Sequence, residues 1–224
     1  MAIYAIGDIH GSLAALKTLF KQGNIQEGDK VIFLGDYVDK GPDSKGVLDW
    51  LIDRRDTYDF TFLLGNHEIM MQAARKTRTH LWRWVRSGGG ATLDAYGIGD
   101  DPDWVGKIDQ AHWDFIDACL PFLELGEYVF VHAGLKPGKP LTDQVPHHLF
   151  WKKYETPERY APAKTVICGH TPRKNGHIAD FGHTICIDTY AYGGQWLSCL
   201  NVETQTYLQA NEKAQFRRGQ LVRK

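Results

Sequence analysis

Residues 1–68 read MAIYAIGDIHGSLAALKTLFKQGNIQEGDKVIFLGDYVDKGPDSKGVLDWLIDRRDTYDFTFLLGNHE, and short apolar runs in this stretch each end in a small polar turn. Met1 to Ile6 runs into Gly7-Asp8, Lys30 to Leu34 into Gly35-Asp36, and Asp59 to Leu64 into Gly65-Asn66-His67-Glu68. Apolar runs of this length, bounded by glycine, predict buried strands. Between them, Ser12 to Phe20 carries Leu13, Leu16, Leu19 and Phe20 at helical spacing. Ser44 to Ile52 predicts a second helix, with Ser44 placed to cap it after Pro42. The repeated strand, polar loop, helix rhythm predicts an α/β fold. In open α/β sheets, ligand-binding groups gather in loops at the carboxyl ends of strands, which is where these polar residues fall.

Further along, Gln72 to Pro121 reads as mostly helical, interrupted by Gly88-Gly89-Gly90 and by Gly97 to Pro102. Tyr128 to Val131 predicts a fourth strand ending at His132, and Thr165 to Cys168 a fifth ending at Gly169-His170. From His183 onward the pattern is strand-like, with turns near Gly193-Gly194 and Glu203-Thr204. No linker, repeat or low-complexity tract divides the chain, so residues 1–224 are expected to form a single domain. The polar, basic tail from Lys213 is expected to fray.

At 224 residues, 43% hydrophobic and 24% charged, the chain can bury a core without disulfide staples. A formal net charge of -1 supplies no general basic field, which argues against nucleic acid and against an anionic membrane as partners. Cys119, Cys168, Cys186 and Cys199 form no C-x-x-C pair and are expected to be buried thiols in a reducing compartment. No signal peptide or transmembrane run is visible, so a cytoplasmic location is expected.

Loops at five predicted strand ends carry Asp8 and His10, Asp36 and Asp39, Asn66 and His67, His132, and His170. Taken singly, each is ordinary: a Gly-Asp is usually a turn, and a histidine after a strand usually has a structural hydrogen bond. Together they predict a metal site. Carboxylate, imidazole and amide oxygen suit Mn²⁺, Fe or Zn²⁺, and no thiolate belongs to the set. Two cations held close need a shared anionic ligand, and an aspartate at a central strand end can serve. Such a pair can activate a water and clamp phosphoryl oxygens.

At these residues the sequence resembles the PPP metallophosphatases of the calcineurin-like metallophosphoesterase superfamily, the bacterial serine/threonine protein phosphatases in particular. Gly7-Asp8-Ile9-His10-Gly11 resembles GDxHG, Gly35 to Gly41 resembles GDxVDRG, and Gly65-Asn66-His67-Glu68 resembles GNHE. His132-Ala133-Gly134 and Gly169-His170-Thr171-Pro172 resemble the later histidine motifs, and Gly88 to Gly97 a segment common in bacterial members. The resemblance implies a central β-sandwich flanked by helices, in four layers. It implies two divalent ions, Mn²⁺ first and Fe or Zn²⁺ otherwise. Asp8 and His10 would bind the first, Asp36 would bridge, and Asn66, His132 and His170 would complete the second. His67, paired with Asp39, would be the general acid. The implied reaction is hydrolysis of a phosphate monoester by direct attack of a metal-bridging hydroxide, with a phosphorylated protein (serine or threonine, and tyrosine in some relatives) or a small phosphomonoester as substrate.

The sequence departs from the family at two phosphate-binding positions. Lys40 stands where an arginine is usual, and Lys153, after Trp151, falls where a second arginine often follows a tryptophan. Lysine keeps the charge but not the two-pronged guanidinium, so a weaker phosphate grip or a shifted substrate preference is expected, with Asn66 sharing that role. Cys168 is not followed by arginine in the C-x5-R pattern of cysteine phosphatases, since Lys174 occupies that place, and there is no P-loop. Arg75, Lys76, Arg78, Arg83 and Arg86, interleaved with Trp82 and Trp84, read as a solvated helix face with both tryptophans packed inward, the other reading being a phosphate-rich substrate groove. His147, His148, His177 and His183 read as surface or structural.

Two rival functions stand beside the phosphomonoesterase. One is hydrolysis of diadenosine tetraphosphate, by relatives that are typically longer and usually lack the aspartate matching Asp39. The other is a metal-binding regulatory protein that has lost catalysis.

Overall fold

The computed structural model describes residues 1–222. Its strands are β1 (Ile3–Ile6), β2 (Lys30–Phe33), β3 (Asp59–Phe62), β4 (Phe122–Leu125), β5 (Tyr128–Val131), β6 (Thr165–Cys168), β7 (Ala179–Asp180), β8 (Thr184–Cys186), β9 (Leu197–Asn201), β10 (Thr206–Ala210) and β11 (Phe216–Gln220). Its α-helices are α1 (Leu13–Gly23), α2 (Ser44–Arg54), α3 (Asn66–Ala74), α4 (Arg78–Trp84), α5 (Gly90–Ala95) and α6 (Gln110–Asp117). One mixed sheet has the order β11-β10-β9-β1-β2-β3, the other β4-β5-β6-β8-β7. Two sheets flanked by helices make the α/β sandwich that the resemblance implied.

The two-residue period of a strand explains the layering. Along β2, Val31 and Phe33 point into a core shared with Leu16, Leu19, Leu48 and Trp50 of α1 and α2, whereas Ile32 points into the core between the sheets. Along β5, Phe130 joins the inter-sheet core while Val129 and Val131 face a third cluster with Leu149 and Phe150. Strands covered on both faces read as continuous apolar runs, which is why β1, β2, β5 and β6 stand out in the sequence. The Tyr128 hydroxyl donates to the Val202 carbonyl at 2.9 Å, and a parallel bridge joins Leu63 to Leu120.

Two expectations need correction, and one strand escaped notice. The cap of α2 is Asp43, whose carboxylate accepts from the Gly46 amide at 2.7 Å, and Ser44 is the first helical residue. The stretch read as mostly helical is followed at once by β4, a four-residue edge strand whose partial exposure leaves little alternation to read. The tail from Lys213 includes β11, paired with β10 along its whole length, and only residues 223–224 lie outside the described structure.

Phe33 is fully buried among aromatic neighbours, so Phe33→Ala is expected to cost about 3–5 kcal/mol, read as a lower urea midpoint. The exposed Lys213→Ala is expected to stay within about 0.5 kcal/mol. Equal midpoints for the two variants would contradict the burial of β2 between the helices and the second sheet.

Candidate metal centre

The residues singled out at strand ends converge. Asp8 and His10 follow β1, Asp36 and Asp39 follow β2, Asn66 and His67 open α3 after β3, His132 follows β5 and His170 follows β6. All are buried except His170, which is partly so. The backbone bends hard to bring them together. Of the nine non-glycine residues with positive φ among the described residues, five are His10, Asp36, Asp39, Lys40 and His170. Such conformations cost on the order of 1–3 kcal/mol each and persist where the surroundings enforce them. Glycine provides the room: a methyl group at Gly65 would collide with the Asp36 carboxylate, and one at Gly41 with the His10 carbonyl.

Three imidazoles share one arrangement. His10 Nδ1 lies 2.8 Å from the Val38 carbonyl, His132 Nδ1 2.9 Å from the Leu34 carbonyl, and His170 Nε2 3.0 Å from the Trp151 carbonyl. A carbonyl only accepts, so the ring nitrogen facing it carries the proton and the other nitrogen turns a lone pair inward. Burial lowers the His10 pKa to about 4 and that of His170 to about 3, and lowers His132 also, so the rings stay neutral as metal ligands must be. The Asn66 side-chain oxygen Oδ1 lies 2.9 Å from His132 Nε2 and 2.8 Å from His170 Nδ1, and those two nitrogens are 3.2 Å apart. Acceptors this close with no donor between them repel one another, and a cation relieves the repulsion.

Asp36 connects two such groups. Among the described residues, ligand atoms come within 4.8 Å of one another in His10-Asp36-His67 and in Asp36-His132-His170. Asp36 Oδ2 is 3.3 Å from His10 Nε2, and Oδ1 is 3.5 Å from His132 Nε2, so one carboxylate offers an oxygen to each side. Asp8 belongs to neither group; its two oxygens accept the His170 amide at 3.1 Å. Burial, followed by repulsion from Asp188 and Asp36, raises the Asp8 pKa well above the usual range. Asp188, after β8, has a buried Oδ2 without a hydrogen-bond partner among the described residues. Buried carboxylates crowded around neutral imidazoles are a donor set that fits divalent cations.

The His67 pair is complete. His67 Nδ1 and Asp39 Oδ2 are 2.6 Å apart, and the Asp39 carboxylate also accepts from Trp84 Nε1 at 2.8 and 3.0 Å and from the Thr92 hydroxyl at 2.7 Å. Burial opposes a charge on His67, but Asp36 and Asp39 outweigh it and the pKa rises. Lys40 Nζ lies 3.1 Å from His10 Nε2 and 4.4 Å from the centre of the Tyr192 ring, which packs edge-on against His10. Lys153 is exposed at the rim, near enough for its charge to disfavour protonation of His170.

Glu68 and Thr92 stand inside sequence motifs without a mark of their own, and nothing in the sequence singles out Asp188 or Tyr192. Glu68 does the most: its carboxylate accepts the amides of Asp36 at 2.9 Å, Tyr37 at 2.8 Å, Val38 at 3.3 Å and Gly65 at 3.1 Å. A carboxylate at the fourth place of GNHE, just ahead of the apolar Ile69-Met70-Met71, was the available signal. Glutamine would turn an NH₂ toward two of these donors. Glu68→Gln is therefore expected to weaken Mn²⁺ binding about 10- to 100-fold by calorimetric titration, as loss of an outer-shell partner does. Unchanged affinity would show that the Asp36 loop holds its shape without Glu68.

The sequence profile described as calcineurin-like phosphoesterase matches residues 1–197. A symmetrical bis(5'-nucleosyl)-tetraphosphatase of Pseudomonas fluorescens (strain Pf0-1) is 31% identical over 140 residues, which cover 61% of this chain and 43% of that protein. The chain thus spans less than half the length of that curated relative. A solved structure provisionally assigned as a diadenosine tetraphosphatase superposes with a TM-score of 0.66 at 18% identity, covering 97% of this chain and 92% of the other. A protein serine/threonine phosphatase from Saccharomyces cerevisiae gives 0.61 at 17% identity, covering 99% and 80%. At such identities the structural likenesses speak for the fold alone. The profile match covers most of the chain: this protein belongs to the calcineurin-like phosphoesterase family.

Proposed function

We propose that the chain is a dinuclear metal-dependent hydrolase whose substrate is a nucleoside polyphosphate of the bis(5'-nucleosyl) type. The observation that carries the dinuclear centre is Asp36, one carboxylate with an oxygen turned toward each of two ligand groups. The similarity to symmetrical bis(5'-nucleosyl)-tetraphosphatases favours this substrate over a phosphoprotein. In this reading Asp8, His10 and Asp36 hold one ion, and Asp36, Asn66, His132 and His170 the other. Bound there, the ions supply Lewis acidity and a water whose pKa falls from 15.7 toward about 7. Lys40, Lys153 and the Asn66 amide set the phosphate, and His67, oriented by Asp39, gives a proton to the departing oxygen.

One observation favours phosphate monoesters as a second reading. A nucleotide leaving from an anhydride is already a stable anion, whereas an alkoxide leaving from an ester needs a proton, and the His67–Asp39 pair is built to deliver one. The two readings separate in one experiment: metal-stripped protein, with and without Mn²⁺, offered diadenosine tetraphosphate, p-nitrophenyl phosphate and a phosphoserine peptide. Mn²⁺-dependent turnover is expected, fastest on the dinucleotide. His67→Asn is expected to cost about 10²–10⁴-fold on the monoesters and less on the dinucleotide. Faster turnover of the phosphopeptide would favour the second reading, and no turnover of any substrate despite bound metal would leave a metal-binding protein without this chemistry.

The pH profile follows from the sign of the His67 shift. Neighbouring carboxylates raise its pKa, so the acid is present at lower pH and is lost as pH rises through that value. Asp39→Asn removes one of them and is expected to move the alkaline fall in kcat for p-nitrophenyl phosphate to lower pH. A fall that stays in place would assign the proton to another group.

A further inference from the structure

Of the seven tryptophans in the sequence, two are exposed, and both line one groove. Trp82 is 59% exposed and Trp151 39%, so the expectation that Trp82 packs inward fails while Trp84 fulfils it. The groove encloses about 570 Å³, within the usual range for small-molecule sites of about 300–1,000 Å³. Its ionisable lining side chains, His80, Arg83 and Arg86, are all basic, although the chain as a whole carries a net charge of -1. The Arg86 guanidinium lies 4.5 Å from the Trp82 ring centre, and Trp82 remains exposed with it in place.

The groove borders the metal centre at three places. The Trp151 carbonyl is the one that holds His170. Trp84, two residues after Trp82, holds Asp39. Met70, in the groove, follows His67 by three residues on α3, about 4.5 Å along the helix axis. Flat aromatic faces beside guanidinium groups suit a ligand with a π-faced, weakly charged body joined to phosphates. A nucleobase on a phosphate chain has that character.

We propose that this groove holds one nucleoside of the substrate, its base against Trp82 and Trp151, while the attached phosphates lie along Arg83 and Arg86 toward the metal ligands. The inference rests on the nucleotide reading of the centre. Trp82 would then discriminate between substrates without touching the reacting atoms.

The test compares ADP with pyrophosphate, which share two linked phosphates and differ by the nucleoside. Binding of each to the Mn²⁺-loaded full chain is measured by calorimetry, with tryptophan emission followed in parallel. ADP is expected to bind more tightly than pyrophosphate and to quench emission. Trp82→Ala is expected to weaken ADP roughly tenfold or more while pyrophosphate changes less than about twofold, and Trp82→Phe is expected to restore most of the loss. Equal ADP affinity in the wild type and Trp82→Ala would overturn the proposal, as would a phosphoserine peptide that responds to Trp82→Ala when ADP does not. Because binding is read without turnover, failure of the groove is distinguishable from failure of the catalytic reading. A Trp82-dependent ADP preference in a protein that cleaves no dinucleotide would uphold the groove and remove the reaction.

Discussion

The carboxylate of Glu68 is the tie on which the centre depends. It is fully buried, and it satisfies amides from two separate loops, the one after β2 and the one after β3. Without it, the Asp36 backbone would hold a left-handed conformation with unpaired amides in a dry interior, two costs at once. With it, the loop that offers Asp36 is locked to the helix that begins at Asn66. Each neighbouring element then adds a constraint: Asp36 receives the His67 amide at 3.0 Å, and the two-sheet core fixes the distance to His132 and His170.

Most of the fold was legible because the central strands are covered on both faces. Their apolar runs need no alternation to be noticed, and glycine-aspartate or glycine-histidine punctuation marks where they stop. What stayed hidden lies at the edges. β4 and β11 each face solvent on one side, and β11 carries Arg217 and Arg218 in a strand that composition alone assigns to a loose end. Sheet pairing overrides local polarity there.

The site was legible to a different depth. The histidines and acids at strand ends could be named from spacing, and the structure gathers them. Their support could not, because it comes from residues far away in sequence. Thr92 lies 53 positions from Asp39, and Leu34, whose carbonyl sets the tautomer of His132, lies 98 positions from it. A serine two residues after a proline likewise looked like a helix cap, yet the Ser44 hydroxyl instead accepts the amide of Asp39, and Asp43 takes the cap. Side chains whose task is to hold another side chain leave no periodic trace.

The two ligand groups differ in where the chain supplies them. Asp8, His10 and Asp36, with His67 beside them, all come from strand ends of the six-stranded sheet, within one continuous βαβαβ stretch. Asp36, His132 and His170 reach across to the five-stranded sheet and span far more of the sequence. The first group can therefore assemble from local contacts, while the second exists only once the two sheets have docked, which comes at the greater loop-closure cost. An ion held by the second group would act as a clasp between the halves of the sandwich. Its binding would then favour the docked sandwich at equilibrium, so that stability of the fold would rise with the supply of metal.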